Sequence, residues 1–485
     1  MIGKGWVSRS LTLVVFALCA SCTDSGGLGP LVRLNAADGS AATFTWAYYT
    51  AIVASGDGVV AAWMDQNGDR NRDVVVRRSE DSGQTWSEPT VLNTGDSANS
   101  ISVTPRLVLL PKQNELLAVW QSRRSEIGQK YVLVRRSSDL GGTWAEPTRL
   151  NSLPQAFLPA VAANDAGAVL VGYDDERNIN RDIFVNRSLD EGKAWLEKDV
   201  RVDTLARAES GAPAVALGND GYGYVVWEER PRRAKGREDT SPHLLFSSSA
   251  DLESWSEPQR IVPSEEVSPI WPALAESNGR LTVVWSAGLS GETTRSWLYL
   301  ASSADRGKTW SPPTTIYEGE AQPLYQIVSE GPHVFLVWHG GEAAQQGGIY
   351  FNASDDSGAT WRTPWTSPIR IDHPEGDKPT QAFHPRIALQ GDSGVAVTWQ
   401  EANERVLVSV SRDGGRTWPE TPVVVVTTEK KDEETLRYPQ VALGAEAAYV
   451  IWERWGERPS KAKTMADINK PQPRDVYFRR VTQAP

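Results

Sequence analysis

A chain of 485 residues with 20 Trp, 40 Gly and 30 Pro, and 40% hydrophobic residues, has the composition of short strands joined by many tight turns, not of a helical bundle. With 50 Lys and Arg against 61 Asp and Glu, the net charge of -11 argues against a surface that as a whole attracts nucleic acid or anionic lipid. The length fits either several ordinary domains or one architecture that grows by repeating a unit.

At the N-terminus, Lys4 and Arg9 precede the apolar run "LTLVVFALCA", which ends in the small residues Ala20, Ser21 and Cys22. A charged start, a short apolar middle and a small-residue end form the pattern of a secretory signal, here residues 1–21. The run is too short for a mature membrane-spanning helix. Its end, "LCASC", resembles the lipobox of bacterial lipoproteins, with Cys22 as the lipidated residue and Cys19 where that motif usually has Leu. The resemblance implies a protein exported and lipid-anchored to the bacterial cell envelope, touching the membrane through the anchor alone; simple secretion is the alternative. Cleavage leaves Cys22 as the sole cysteine, so no intrachain disulfide forms. Residues 22–29 then read as lipidated Cys and flexible tether, and 30–485 as the folded domain.

Within that domain one unit recurs. An Asp-bearing segment occurs seven times, as "SEDSGQTW", "SSDLGGTW", "SLDEGKAW", "SADLESW", "SADRGKTW", "SDDSGATW" and "SRDGGRTW". Its Asp falls at Asp81, Asp139, Asp190, Asp251, Asp305, Asp356 and Asp413, spaced 51 to 61 residues apart, a period that suits a four-stranded propeller blade. An apolar strand ending in an aromatic residue runs in step, eight times, at Trp63, Trp120, Tyr173, Trp227, Trp285, Trp338, Trp399 and Trp452. Ahead of it, segments such as "PRLVL", "PAVAL" and "PRIAL" place Pro where a strand would open. Each unit is thus a first strand opening at the Pro, a second ending in the aromatic residue, a third such as "DVVVRRS", the Asp segment, and a short fourth such as "EPTVLN". The eighth unit stops before its fourth strand, while "PLVRLN" at Pro30 to Asn35 reads as a fourth strand with no unit before it. The expectation is an all-β, eight-bladed propeller of four-stranded antiparallel blades, closed by the N-terminal strand joining the last blade.

The Asp segment connects the third and fourth strands, and its residue types suit a hairpin: Asp accepts from nearby N–H groups, Gly supplies positive φ, and Trp fills space. The seven segments resemble the Asp-box, or bacterial neuraminidase, repeat of sialidases and other secreted propellers. That resemblance implies structural Asp residues on the face opposite any active site, and it fixes fold more than function.

Function is therefore expected where the first strands begin. Residues entering there include Tyr48, Tyr49, Arg106, Trp271, Tyr325, His384, Arg386, Arg437 and Tyr438. Arg106, Arg386, Arg437, His384, Trp271 and Tyr325 are candidate substrate-binding residues, since guanidinium groups and aromatic faces suit an acidic sugar. Just after the second strands stand Asp65, Asp174, Glu228 and Glu453, whose recurrence also fits blade construction through pairing with Arg177 or Arg230. Tyr438, Tyr49, Asp65 and Glu228 are the candidate catalytic residues. The long basic loops after Trp227 and Trp452 are expected to overhang this face. "DQNGDRNRD", Asp65 to Asp73, has a vague likeness to a Ca2+ loop but lacks the Gly and distal Glu of an EF-hand; no metal or other cofactor is otherwise implied.

Three functions fit. A true exo-sialidase, which the resemblance raises, would need three Arg on the substrate carboxylate, a Tyr nucleophile with a Glu partner and an Asp acid/base; Arg106, Arg386 and Arg437 with Tyr438 or Tyr49 match part of that set. Against it, no Arg-Ile-Pro segment precedes the first box and eight units exceed the sialidase six. The others are a protein that binds or otherwise processes glycans, the preferred reading, and a protein-interaction scaffold.

Overall fold

The computed structural model describes residues 27–35, 50–67, 71–94, 100–112, 114–124, 128–178, 180–203, 208–231, 242–261, 268–288, 295–320, 323–341, 347–373, 380–428, 434–456 and 474–482. Signal, Cys22, Tyr48, Tyr49 and most of the two long loops lie outside them. Among the described residues all regular structure is β, in seven sheets. Six have four strands; the seventh has eight because a single parallel pair, Arg72 with Ile101, joins the first two units.

The second strand of each unit is a continuous apolar run, as in Val59–Met64, because both of its faces are covered by neighbouring sheets. Its terminal aromatic residue is at most 2% exposed in all eight units, from Trp63 to Trp452. Apolar clusters bridge successive units: Val119 and Val134 of the second pack with Val169 and Val171 of the third. Trp63 and Ile52 of the first pack with Ile451 and Phe478 of the eighth. Each first strand also lies against the next one, and Thr435–Leu443 lies against Ala51–Ser55. Val32–Arg33 pairs antiparallel with Arg474–Thr482, through Val32 opposite Phe478 and Arg33 opposite Tyr477.

The hairpins of the Asp segments are self-satisfied. Ser79 Oγ donates to Asp81 Oδ1 at 2.8 Å, and the Gly83 N–H donates to Ser79 Oγ at 2.8 Å. The Thr85 N–H and hydroxyl donate to the two Asp81 oxygens at 2.8 and 2.6 Å. The same four bonds recur around Asp139, Asp305, Asp356 and Asp413. Asp190 keeps the backbone bond from Ala194, and Asp251, in the shortened copy, accepts from the N–H groups of Glu253 and Ser254. These bonds hold two consecutive left-handed residues, such as Ser82 (φ 56°) and Gly83 (φ 83°). The box Trp then packs on the preceding unit: Trp310 meets Phe246 edge-on at 5.2 Å, and Trp86 of the first unit meets Phe478 of the eighth at 4.8 Å.

One expectation needs correction. The Pro does not open the first strand but lies inside it: the strands run Ser100–Leu109, Ala208–Leu217, Ser268–Ser277, Ala382–Gln390 and Thr435–Leu443, each starting three to five residues before the Pro. At each of these the pairing register slips, as between Val103 and Arg106 or between Arg437 and Gln440. A β-bulge leaves a residue out of the ladder, which is where a strand tolerates a Pro that has no N–H to donate.

Candidate functional site

The bulge puts the residue before each Pro into left-handed backbone: Thr104 (φ 57°), Ala212 (50°), Trp271 (52°), His384 (56°) and Tyr438 (51°). For non-glycine residues this conformation is strained, and for a Trp, His or Tyr ahead of a Pro it is unusual. Three of the sequence candidates occupy these positions.

Around the seventh and eighth units the candidates converge. The His384 ring meets Tyr438 edge-on at 4.9 Å, and Tyr438 lies 6.2 Å from Trp455. The Arg437 guanidinium sits 4.2 Å over the Trp455 ring. Arg386 is half-buried; burial, with the charge of Arg106 adding to it, pulls its guanidinium down to about 10. Its Nη1 donates to its own Pro385 carbonyl at 2.9 Å, and no carboxylate among the described residues pairs with it. The charge of Arg106, 280 residues away in sequence and in a unit that is not its neighbour along the chain, is felt at Arg386. Burial, then the charges of Arg386, His339 and Arg437, hold His384 near pKa 4, so it is neutral at physiological pH. Neither the His384 ring nitrogens nor the Tyr438 hydroxyl bonds another described residue, which leaves them open to a ligand.

Trp271 and Tyr325 form a second group. The Tyr325 hydroxyl donates to the Trp271 carbonyl and accepts from the Ser286 N–H at 3.1 Å, so it is taken up by backbone. Burial first, with the Glu228 charge adding, raises it well above the ordinary phenol value. Burial also raises Glu228 against the pull of Arg230, its partner at 3.4 Å. The expected pairing of Arg177 with Asp174 does not occur: Arg177 bonds Asp175 and Asp199, while the ion partner of Asp174 is Arg181 at 3.4 Å. Arg177 is carried to the fourth-strand side, over the Phe184 ring at 3.8 Å, because Asp199 offers both oxygens there. Burial pushes Asp174 up to about 7. Glu453 is fully buried and accepts from the Trp455 indole at 2.9 Å; Asp65 lies opposite Asp73, which accepts from Asn93 at 2.9 Å. Residues 68–70 of the proposed Ca2+ loop are outside the described residues.

Two members of the convergent group were not expected, His339 and Trp455. His339 directly follows Trp338, the register position of Asp174, Glu228 and Glu453, so the repeat held the signal. At the next such position, the Gln400 side-chain oxygen accepts from the Tyr438 N–H at 2.9 Å, tying one unit to the bulge of the next. On the Asp-box face, a polar cavity of about 580 Å³ is lined by Asp165, Asp220, Glu276, Arg306 and Glu330 among others. Its groups are largely bonded to one another, as Arg306 to Asp220 at 2.7 Å and Asn219 to Asp165 at 2.7 Å.

These repeated four-stranded sheets and their hairpins define a β-propeller built on Asp boxes. The chain belongs to the BNR repeat-like domain family, whose pattern matches residues 57–208 and 224–436. No curated protein matches it in sequence. Among solved structures it is similar to an α-L-arabinanase of Penicillium chrysogenum complexed with arabinobiose, at 19% identity over 68% of this chain and 98% of that one, with a TM-score of 0.42. It is also similar to the Hadza microbial sialidase Hz136, at 15% identity over 87% and 81%, TM-score 0.40. The polysaccharide lyase Uly1 is similar at 10% identity over 93% and 95%, TM-score 0.49. Likeness at this level implies no shared activity.

Proposed function

We propose that the chain is a closed eight-bladed propeller of the cell envelope that recognises or processes an acidic glycan at the bulges of its seventh and eighth blades. The contact of Thr435–Leu443 with Ala51–Ser55, and the pairing of Val32–Arg33 with the last third strand, support closure of the ring. Export and lipid anchoring at Cys22 rest on the signal and lipobox alone.

The observation that carries the glycan reading is Arg386. A half-buried guanidinium that feels the charge of Arg106 and pairs with no described carboxylate is a place where an anion would complete the site. A carboxylate or sulfate on a sugar supplies that charge, and His384, Tyr438 and Trp455 supply hydrogen-bonding and flat apolar surfaces beside it. For the exo-sialidase alternative, which needs three Arg and a Tyr with a carboxylate partner, the charge of Arg106 felt at Arg386 is in favour, and against it no described carboxylate bonds the Tyr438 hydroxyl.

The test is the mature chain on an array of sialylated, uronate-containing, sulfated and neutral glycans, with fluorogenic sialosides assayed alongside. Binding of acidic glycans, lost in Arg386→Met, is the expected result. Turnover abolished by Tyr438→Phe would make the protein an enzyme. Binding to no glycan would leave the interaction scaffold as the better reading.

A further inference from the structure

Trp271 occupies the same bulge position in the fifth unit that His384 and Tyr438 occupy in the seventh and eighth. Unlike them it is 51% exposed, in a family of positions where an indole of this size would be expected to turn inward. Two features show that its placement is imposed. Its backbone is left-handed at φ 52°, strained for an aromatic residue. Its carbonyl is held by the hydroxyl of the half-buried Tyr325 from the next unit, which is itself fixed by the Ser286 N–H at 3.1 Å, while Ser286 Oγ donates to the Ile270 carbonyl at 3.3 Å. Three residues on two neighbouring first strands and one second strand thus clamp the peptide that presents one exposed indole.

The other exposed large hydrophobics among the described residues are all Leu, and none lies at a bulge. Among the described residues Trp271 is thus a single exposed aromatic face. An apolar protein partner would need a contiguous apolar patch. One flat, rigidly presented ring matches the C–H face of a pyranose.

We propose that Trp271 is a sugar-stacking platform, a subsite separate from the Arg386, His384 and Tyr438 group, with Tyr325 as its positioning residue. The proposal rests on the glycan reading and extends it: the protein takes an oligosaccharide long enough to place an acidic unit at Arg386 and another ring on Trp271. Affinity therefore rises with chain length.

The experiment measures binding of the mature full chain to acidic oligosaccharides of two to six units drawn from the same array. The wild-type chain should prefer the longer members. Trp271→Ala should cut that preference by about tenfold while leaving affinity for the shortest acidic ligand unchanged, and Trp271→Phe should retain most of it. Tyr325→Phe removes one oxygen; it should lower the length preference, again with the shortest ligand unaffected, a pattern that a general loss of structure would not give. Arg386→Met should weaken all acidic ligands alike. A long ligand should also protect Trp271 from N-bromosuccinimide oxidation, read by peptide mass spectrometry. An unaltered length preference in Trp271→Ala, with Arg386→Met still weakened, would overturn the platform and leave the acidic site standing. If wild type binds no acidic glycan, both readings fall.

Discussion

Two sets of hairpin and bulge positions repeat around this molecule, and both hold residues in left-handed backbone. In the Asp boxes the left-handed backbone is held by the repeated Ser and Asp side chains, with the same four bonds in five of the seven copies, while the first left-handed residue itself varies from Ser82 to Leu140 and Arg306. At the first-strand bulges the backbone repeats while the side chain changes from Thr104 to Ala212, Trp271, His384 and Tyr438. A strained backbone held by bonding side chains that repeat marks architecture; at the bulges no such repeated side chain holds the turn, and the units have diverged. The difference also appears in charge, since the box carboxylates are fully supplied with donors whereas Arg386 lacks an anion.

Substitutions should separate the two sets. The largest effect is expected at Gly307 of the fifth box, where φ is +85° and an added Cβ would run into the Phe246 ring of the preceding unit. Gly307→Ala should destabilise the chain by about 3 kcal/mol, combining left-handed strain with overpacking, in denaturant unfolding. Gly211, at a bulge, has nothing near an added Cβ, so Gly211→Ala should be close to neutral. Next comes the acid limb. Asp356 is held at about 2 by the Thr360 N–H and then by the Thr360 and Ser354 hydroxyls. A carboxyl with a lowered native pKa contributes stability that is present above its ordinary value of 3.8 and lost as pH falls toward about 2. Melting temperature should therefore drop through that window, and Asp356→Asn should flatten its share of the drop while lowering stability at neutral pH.

Arg386→Met should behave in the opposite sense to a box substitution. Removing a half-buried guanidinium that has no described carboxylate partner should leave the melting temperature unchanged or raise it while acidic-ligand affinity falls at least tenfold. A sharp loss of stability instead would make Arg386 architectural. The smallest effect is one of pH: because His384 titrates near 4, acidic-ligand affinity should stay flat between about pH 5 and 8. A rise as pH falls through 6.5 would mean that His384 becomes charged in the site.

Much of the fold was legible in the sequence, since an Asp box and an aromatic-ended strand announce themselves locally. The bulges were not. A Pro such as Pro105 reads as a strand start because its lost donor is visible in one strand, whereas a two-against-one register needs the partner strand as well. The candidate residues were found by position, but their grouping was hidden: His384 and Tyr438 come together only through the packing of two units. For Tyr325, the hydroxyl's partner is a carbonyl in another unit, so nothing near it in sequence marks it as a strut rather than a ligand contact.

The box Trp of each unit leans on the preceding one, and for the first unit that predecessor is the last: Trp86 rests on Phe478. During synthesis, the first hairpin therefore emerges long before the wall it packs against. The earliest part of the chain to be made is among the last to be completed, and a ribosome stalled short of residue 478 would hold most of the molecule with an exposed indole at its leading edge.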